Sequence, residues 1–168
     1  MIDLVAKWTT SILQKAGDSP DQPYILKCAF TGTAASNIGG GTLTTTSGFS
    51  FGNQHHGMKD RERDVRRHEL KQLVLLIIDE ISFVYADMLY MLNLKLQEIK
   101  ECKKPFGGVA IFAFGDIFQL CPVAGTPVFA HPSNPAYHLT YRLQNLWNLL
   151  TVVNLTFNHR QGASLEFA

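Results

Sequence analysis

Apolar residues recur at helical spacing near the start of the chain, at Leu4, Val5, Trp8, Ile12 and Leu13, until Gly17-Asp18-Ser19-Pro20 breaks the pattern. The chain is therefore expected to open on a helix. Tyr24 to Phe30, bounded by Pro23 and Thr31-Gly32-Thr33, is a short, mostly apolar run that reads as a buried strand running into a loop of small residues. From Gly52 to Leu70 the composition turns polar: Lys59, Arg61, Arg63, Arg66 and Arg67 are interleaved with Asp60, Glu62, Asp64 and Glu69. Alternating signs cancel the field that a phosphate would feel, so this stretch reads as a solvated helix rather than a DNA-binding patch. Leu73 to Ile78 is the next strand. Met88, Leu89, Leu92, Leu96 and Ile99 then mark the core-facing side of a helix that ends by Lys103-Lys104-Pro105. Val109 to Phe114 is a third strand ending in Gly115-Asp116, and Val152-Val153-Asn154-Leu155 a weaker fourth that leads to Asn158-His159-Arg160-Gln161.

Strand, loop and helix alternate, which predicts an α/β fold: a mostly parallel sheet with helices on both faces and ligands at the carboxyl ends of the strands. The polar tails of all four strands should converge there. No repeat or flexible linker divides the chain, so residues 1–168 read as one domain.

Composition narrows the function classes. With 46% hydrophobic residues the chain can build a core, and a net charge of +1 means that any nucleic-acid contact must be local. Cys28, Cys102 and Cys121 are odd in number and lack Cys-x-x-Cys spacing, which argues against disulfides and zinc and for a reducing compartment. His55-His56 reads as part of an exposed loop. No apolar run reaches membrane-spanning length and no secretory signal opens the chain, so an intracellular protein without a membrane partner is expected.

Three segments carry candidate chemistry. In "LLIIDEIS", Leu75 to Ser82, two carboxylates follow a buried strand; Asp79 can bind Mg²⁺ and Glu80 can orient or deprotonate a water. On its own such a pair is as readily a solvated strand end or helix cap. In "FGDIFQLCPV", Phe114 to Val123, Asp116 and Gln119 follow the third strand, and the Gln119 amide can touch a phosphate or the attacking water, unless the segment is only a polar turn. In "LTFNHRQ", Leu155 to Gln161, Arg160 offers a planar fork of donors to a phosphoryl group, although in isolation it reads as a surface arginine.

Together with "AFTGTAASNIGG", Ala29 to Gly40, these segments resemble the successive motifs of Pif-type (petite integration frequency) DNA helicases, members of superfamily one close to RecD that also occur in Helitron transposons. The resemblance implies a RecA-like P-loop NTPase motor domain that couples ATP hydrolysis to translocation on single-stranded DNA and to unwinding at duplex junctions, as in DNA repair, recombination and telomere maintenance. It implies ATP and Mg²⁺ as cofactors. It also implies Asp79 as the metal-binding residue, Glu80 as catalytic base, Gln119 as the coupling residue and Arg160 as the sensor of the γ-phosphate. Thr31, Gly32, Thr33, Asn37, Gly39 and Gly40 would hold single-stranded DNA, where small residues let backbone N–H groups approach phosphates. Nuclear residence, with the mitochondrion as alternative, goes with the family.

The chain departs from that pattern in several places. It contains no Gly-Lys dipeptide, so the phosphate-binding loop and its lysine are absent, and it ends soon after Arg160. It reads as a partial first motor domain expected to have little or no ATPase, or else as a truncated or transposon-derived DNA-binding module. A metal-dependent hydrolase using Asp79, Glu80 and Asp116 is a third possibility. "TLTTTSGF", Thr42 to Phe49, stands where the family has a histidine, and Cys121 where it has a proline. With the phosphate-loop strand missing from inside the sheet, neighbouring strand edges should be left unpaired or forced together, lowering the melting point or promoting self-association.

Overall fold

The computed structural model describes residues 2–19, 21–47, 58–119, 122 and 125–156. Helix α1 (Ile2–Leu13) is followed by strand β1 (Ile25–Ala29), helix α2 (Gly32–Asn37), the two-residue strand β2 (Gly41–Thr42) and helix α3 (Leu43–Ser47). Helix α4 (Asp60–Glu69), strand β3 (Leu75–Asp79), helix α5 (Ala86–Lys100), strand β4 (Ala110–Ala113) and helix α6 (His138–Leu143) complete the order, with short 3-10 turns between them. The sheet runs β2-β1-β3-β4 and every pairing is parallel, as the alternating pattern requires.

Register divides the side chains between two faces. Leu26, Leu76 and Ile111 lie side by side, as do Cys28, Ile78 and Ala113, and both rows join the main core with α5. That helix buries Met88, Leu89, Leu92, Leu96 and Ile99, each no more than 3% exposed, so the predicted stripe is a core face. On the opposite face Lys27, Ile77 and Phe112 align, and α1 is tied there by an ion pair from Asp3 to Lys27 at 2.7 Å. Helix α1 exists where the spacing predicts it. Its Leu4, Trp8 and Ile12 nevertheless stay 60–73% exposed.

The described part of the polar stretch forms α4, and it is less solvated than its composition implies. Arg63 pairs with Glu98 at 3.5 Å and Arg67 with Glu101 at 3.1 Å, fastening α4 to the side of α5. Lys100 closes the same corner by donating to the carbonyls of Leu70, Lys71 and Leu73, at 3.3, 2.8 and 3.1 Å, just before β3 begins.

Two expectations are corrected. Val152 to Leu155 is not a strand: residues 151–156 have no regular structure, and Val152, Val153 and Leu155 are 70–77% exposed. β-branched residues favour a strand only where an edge pairs with them, and no described strand does. The small-residue segment after β1 is not a loop either, since it forms α2 and returns as β2. β1 pairs with β3 and β3 with β4, and the outer side of β4 pairs with no described strand. Among the described residues, no helix is long and apolar enough to cross a membrane.

Candidate functional site

β3 carries Asp79 to the carboxyl edge of the sheet, in register with Ala29 at the end of β1. The half-buried Asp79 accepts a hydrogen bond at Oδ1 from the Glu80 N–H, at 3.0 Å, and no described residue bonds its second oxygen. Glu80 then adopts a left-handed conformation, φ 55° and ψ 49°, which costs an L-residue about 1–2 kcal/mol. Such strain persists only where the surroundings fix it, and it gathers at functional sites.

Two contacts do the fixing. The Ile81 N–H donates to the Phe114 carbonyl at 2.9 Å, so the backbone just past the acidic pair is bonded to the end of β4. Gly115, at φ 152°, lies so near that a Cβ there would come within 2.9 Å of Ile81 N. Any larger residue would push the two motifs apart. Beyond Gly115, Asp116 folds a tight turn: its Oδ1 accepts from Phe118 N–H at 2.9 Å and its carbonyl from Gln119 N–H at 3.1 Å. The turn presents Gln119 exposed, one short segment away from Glu80.

The turn that starts β4 is itself pinned from below. In Pro105–Gly108, Phe106 and Gly107 take φ values of 51° and 64°, and a Cβ on Gly107 would stand 2.4 Å from the Leu96 carbonyl. Asn93, 1% exposed on the apolar face of α5, accepts the Phe106 N–H at 2.7 Å. Gln97 donates to the carbonyls of Lys103 and Lys104 at 3.0 and 3.1 Å. These positioning residues were missed in the sequence. An asparagine set among Met88, Leu92 and Leu96 at core-facing spacing is the signal that points to one of them.

The candidate DNA segment lies at the same carboxyl edge. Thr31 caps α2 by accepting the Ala34 N–H on Oγ1 at 3.2 Å, and Ala35 packs against Ala29 and Ile38 in a small second core. Thr31, Gly32, Thr33, Asn37, Gly39 and Gly40 are all exposed. Gly39 has φ 60°, and a Cβ on Gly40 would stand 2.3 Å from the Lys27 carbonyl, which is why this turn is built of glycine. The rings of Phe30 and Phe83 stack with centroids 6.2 Å apart, linking the start of this segment to the turn after Glu80. The ends of β1, β3 and β4 are thus brought together. Arg160 lies outside the described residues, as do Cys121 and the His55-His56 pair. Of "TLTTTSGF", the described part ends β2 and forms α3, with Thr42 accepting the Thr45 N–H at 3.2 Å.

The donor set fits Mg²⁺, a hard cation that takes one or two carboxylates and completes its shell with phosphate and water. Asp79 has an oxygen to give, and Glu80 stands next to it. Three His, Cys, Asp or Glu side chains that could hold a metal by themselves do not occur among the described residues, which leaves the three-carboxylate arrangement with Asp116 unsupported. Cys28 is no nucleophile: burial pushes its thiol up to about 12, and it donates to the Ile77 carbonyl at 3.3 Å.

PIF7, an ATP-dependent DNA helicase of Trypanosoma brucei brucei, is 32% identical over 142 residues, which cover 73% of this chain and 14% of that protein. The crystal structure of a Pif1 helicase from Candida albicans matches 76% of this chain and 28% of its own at 30% identity, with a TM-score of 0.58. Pif1 helicase from Bacteroides, in complex with ADP-AlF3 and single-stranded DNA, matches 71% of this chain and 27% of its own at 34% identity and a TM-score of 0.50. The chain therefore spans less than a third of each of these proteins. Residues 10–166 match the model of the PIF1-like helicases, and the chain belongs to that family.

Proposed function

We propose that this chain is part of the first motor domain of an ATP-dependent DNA helicase, in which the junction of β3 and β4 couples nucleotide state to single-stranded DNA. The observation that carries this is the strained Glu80, held between Asp79 and the Phe114–Gly115 end of the strand that bears Gln119. Bound Mg²⁺–ATP supplies the phosphoryl group and the charge that neutralises it. Asp79 offers a carboxylate oxygen to the metal. Glu80 takes the proton of the attacking water, placed for that by a backbone turn that removes it from the strand's alternation. Gln119 answers the state of the phosphates through the Asp116 turn, and Arg160 is assigned to the γ-phosphate. Thr31, Gly32, Thr33, Asn37, Gly39 and Gly40 offer DNA phosphates an exposed, side-chain-poor surface at the same edge.

Phosphoryl transfer rests on positioning and charge stabilisation, and the sequence holds no Gly-Lys phosphate loop to supply either. The purified 168-residue chain is therefore expected to show little or no ATPase with or without single-stranded DNA; measurable DNA-stimulated turnover would contradict that expectation. A second reading is a DNA-binding module without hydrolysis, in which the exposed residues of the α2–β2 segment meet the strand. Fluorescence titration with a labelled oligonucleotide separates the two: affinity that changes with ATP marks the motor, and affinity indifferent to ATP marks the module. Residence in the nucleus, or alternatively the mitochondrion, belongs to the same proposal and is read by imaging a tagged chain.

A further inference from the structure

We propose that Phe30 and Phe83 form a stacking platform for a base of single-stranded DNA, whose phosphate is held by the neighbouring start of α2. This platform rests on the DNA-binding reading of the α2–β2 segment and adds base contact to it. The two rings stack with centroids 6.2 Å apart and planes 16° from parallel, an offset arrangement within the preferred range for aromatic pairs. Neither ring belongs to the main core around α5 or to the small core around Ala35. Packing of the interior therefore does not account for the pair.

Its placement points to a ligand at the carboxyl edge. Phe30 follows the fully buried Ala29 at the end of β1 and directly precedes Thr31, the cap of α2. Phe83 closes the turn after Glu80: its N–H donates to the Glu80 carbonyl at 3.1 Å, and Ile81 and Ser82 beside it are buried. Both rings stand on backbone anchored to the sheet, so little conformational freedom is lost when a ligand stacks there. Phe30, 37% exposed, presents its ring to solvent, and the half-buried Phe83 backs it. A nucleobase is the occupant that this geometry fits, being flat, π-faced and joined to a phosphate that exposed Thr31, Gly32 and Thr33 can meet. Every base has a π-face, so the platform tolerates any sequence, as movement along a strand requires.

Fluorescence anisotropy of the full chain with two labelled oligonucleotides of equal length separates base from phosphate contact. One is oligothymidylate, and the other carries abasic sites in place of every base. The parent chain should bind the intact strand at least about fivefold more tightly, the lower end of what one stacked base contributes. Phe30→Leu should bring the intact strand close to the abasic affinity while leaving the abasic affinity unchanged, and Phe83→Leu should do the same in smaller measure. Phe30→Trp keeps a stacking surface and the preference, and its added fluorescence should be quenched by the intact strand but not by the abasic one. That readout decides the matter should Phe30→Leu fold poorly. Equal affinity of the parent chain for the two strands overturns the platform but leaves phosphate-mediated DNA binding in place. So does a folded Phe30→Leu chain that keeps the parent's preference, or one that loses both affinities alike, which marks a structural role. A parent chain that binds neither strand removes the DNA-binding reading itself, and the platform with it.

Discussion

The two faces of the sheet are built from similar strands and end up very differently covered. On one, α5 presses a continuous row of leucines, Leu89, Leu92 and Leu96, against Leu76 and Ile78, and fixes the turns around it with Asn93, Gln97 and Lys100. On the other, α1 has no fully buried residue of its own and is held by the exposed pair of Asp3 with Lys27. The difference matters for function because the α5 side sets where β3 and β4 end, and therefore where Glu80 and Gln119 sit.

The contrast breaks most visibly through Leu92, which is fully buried. Leu92→Ala removes apolar surface and leaves a cavity, so it should destabilise the chain by about 2–5 kcal/mol. Trp8→Ala deletes a larger side chain from α1, yet at 67% exposure it should change stability by no more than about 0.5 kcal/mol. Urea denaturation of the two variants beside the parent chain measures both. Similar losses from both would mean that α1 is packed as tightly as α5.

The next effect in size tests a polar contact rather than a cavity. Asn93→Ala leaves the buried Phe106 N–H without its acceptor, for a loss of about 1–3 kcal/mol, and frees the left-handed turn that aims β4. Amide hydrogen exchange should then quicken at Phe106 and Gly107 before it quickens in β1. Uniform exchange throughout the sheet would show that Asn93 supports the fold in general and not this turn.

Much of this was legible in the chain, and what was not has identifiable causes. β1, β3 and β4 were readable because each is a short, mostly apolar run bounded by turn residues, and α5 because its buried residues repeat with the helical period. Val152 to Leu155 misled because strand preference is realised only beside a partner edge, and pairing information is not local. The segment after β1 misled for the opposite reason: Gly32-Thr33-Ala34-Ala35 has loop-like composition, and the helix is set by the Thr31 cap and by Ala35 packing on Ala29. In the candidate site, "DE" announced the carboxylates but not the left-handed Glu80, since no residue pattern encodes a strained φ. That conformation follows from Asp79, Ile81, Phe114 and Gly115 acting together.

The smallest expected effect sharpens the comparison from the α1 side. A hydrogen bond and the charge of Lys27 hold the Asp3 carboxyl below its ordinary range. A carboxylate whose folded pKa is depressed contributes stability that is fully present above the unfolded value, about 3.9 for Asp, and lost as pH falls through the folded one. Acid should therefore loosen α1 from β1 while the α5 face, which relies on buried apolar contacts, stays closed. Amide shifts of Ile2 and Ala29, followed by NMR from pH 6 downward to about pH 3, should move before those of Leu89 and Leu92. Lys27→Met removes the partner of Asp3, so the early movement should vanish in that variant. If it persists there at the same pH, the loosening originates in another carboxylate, and Asp18, whose pKa is lowered by its hydrogen bond from Tyr24, is the next to replace.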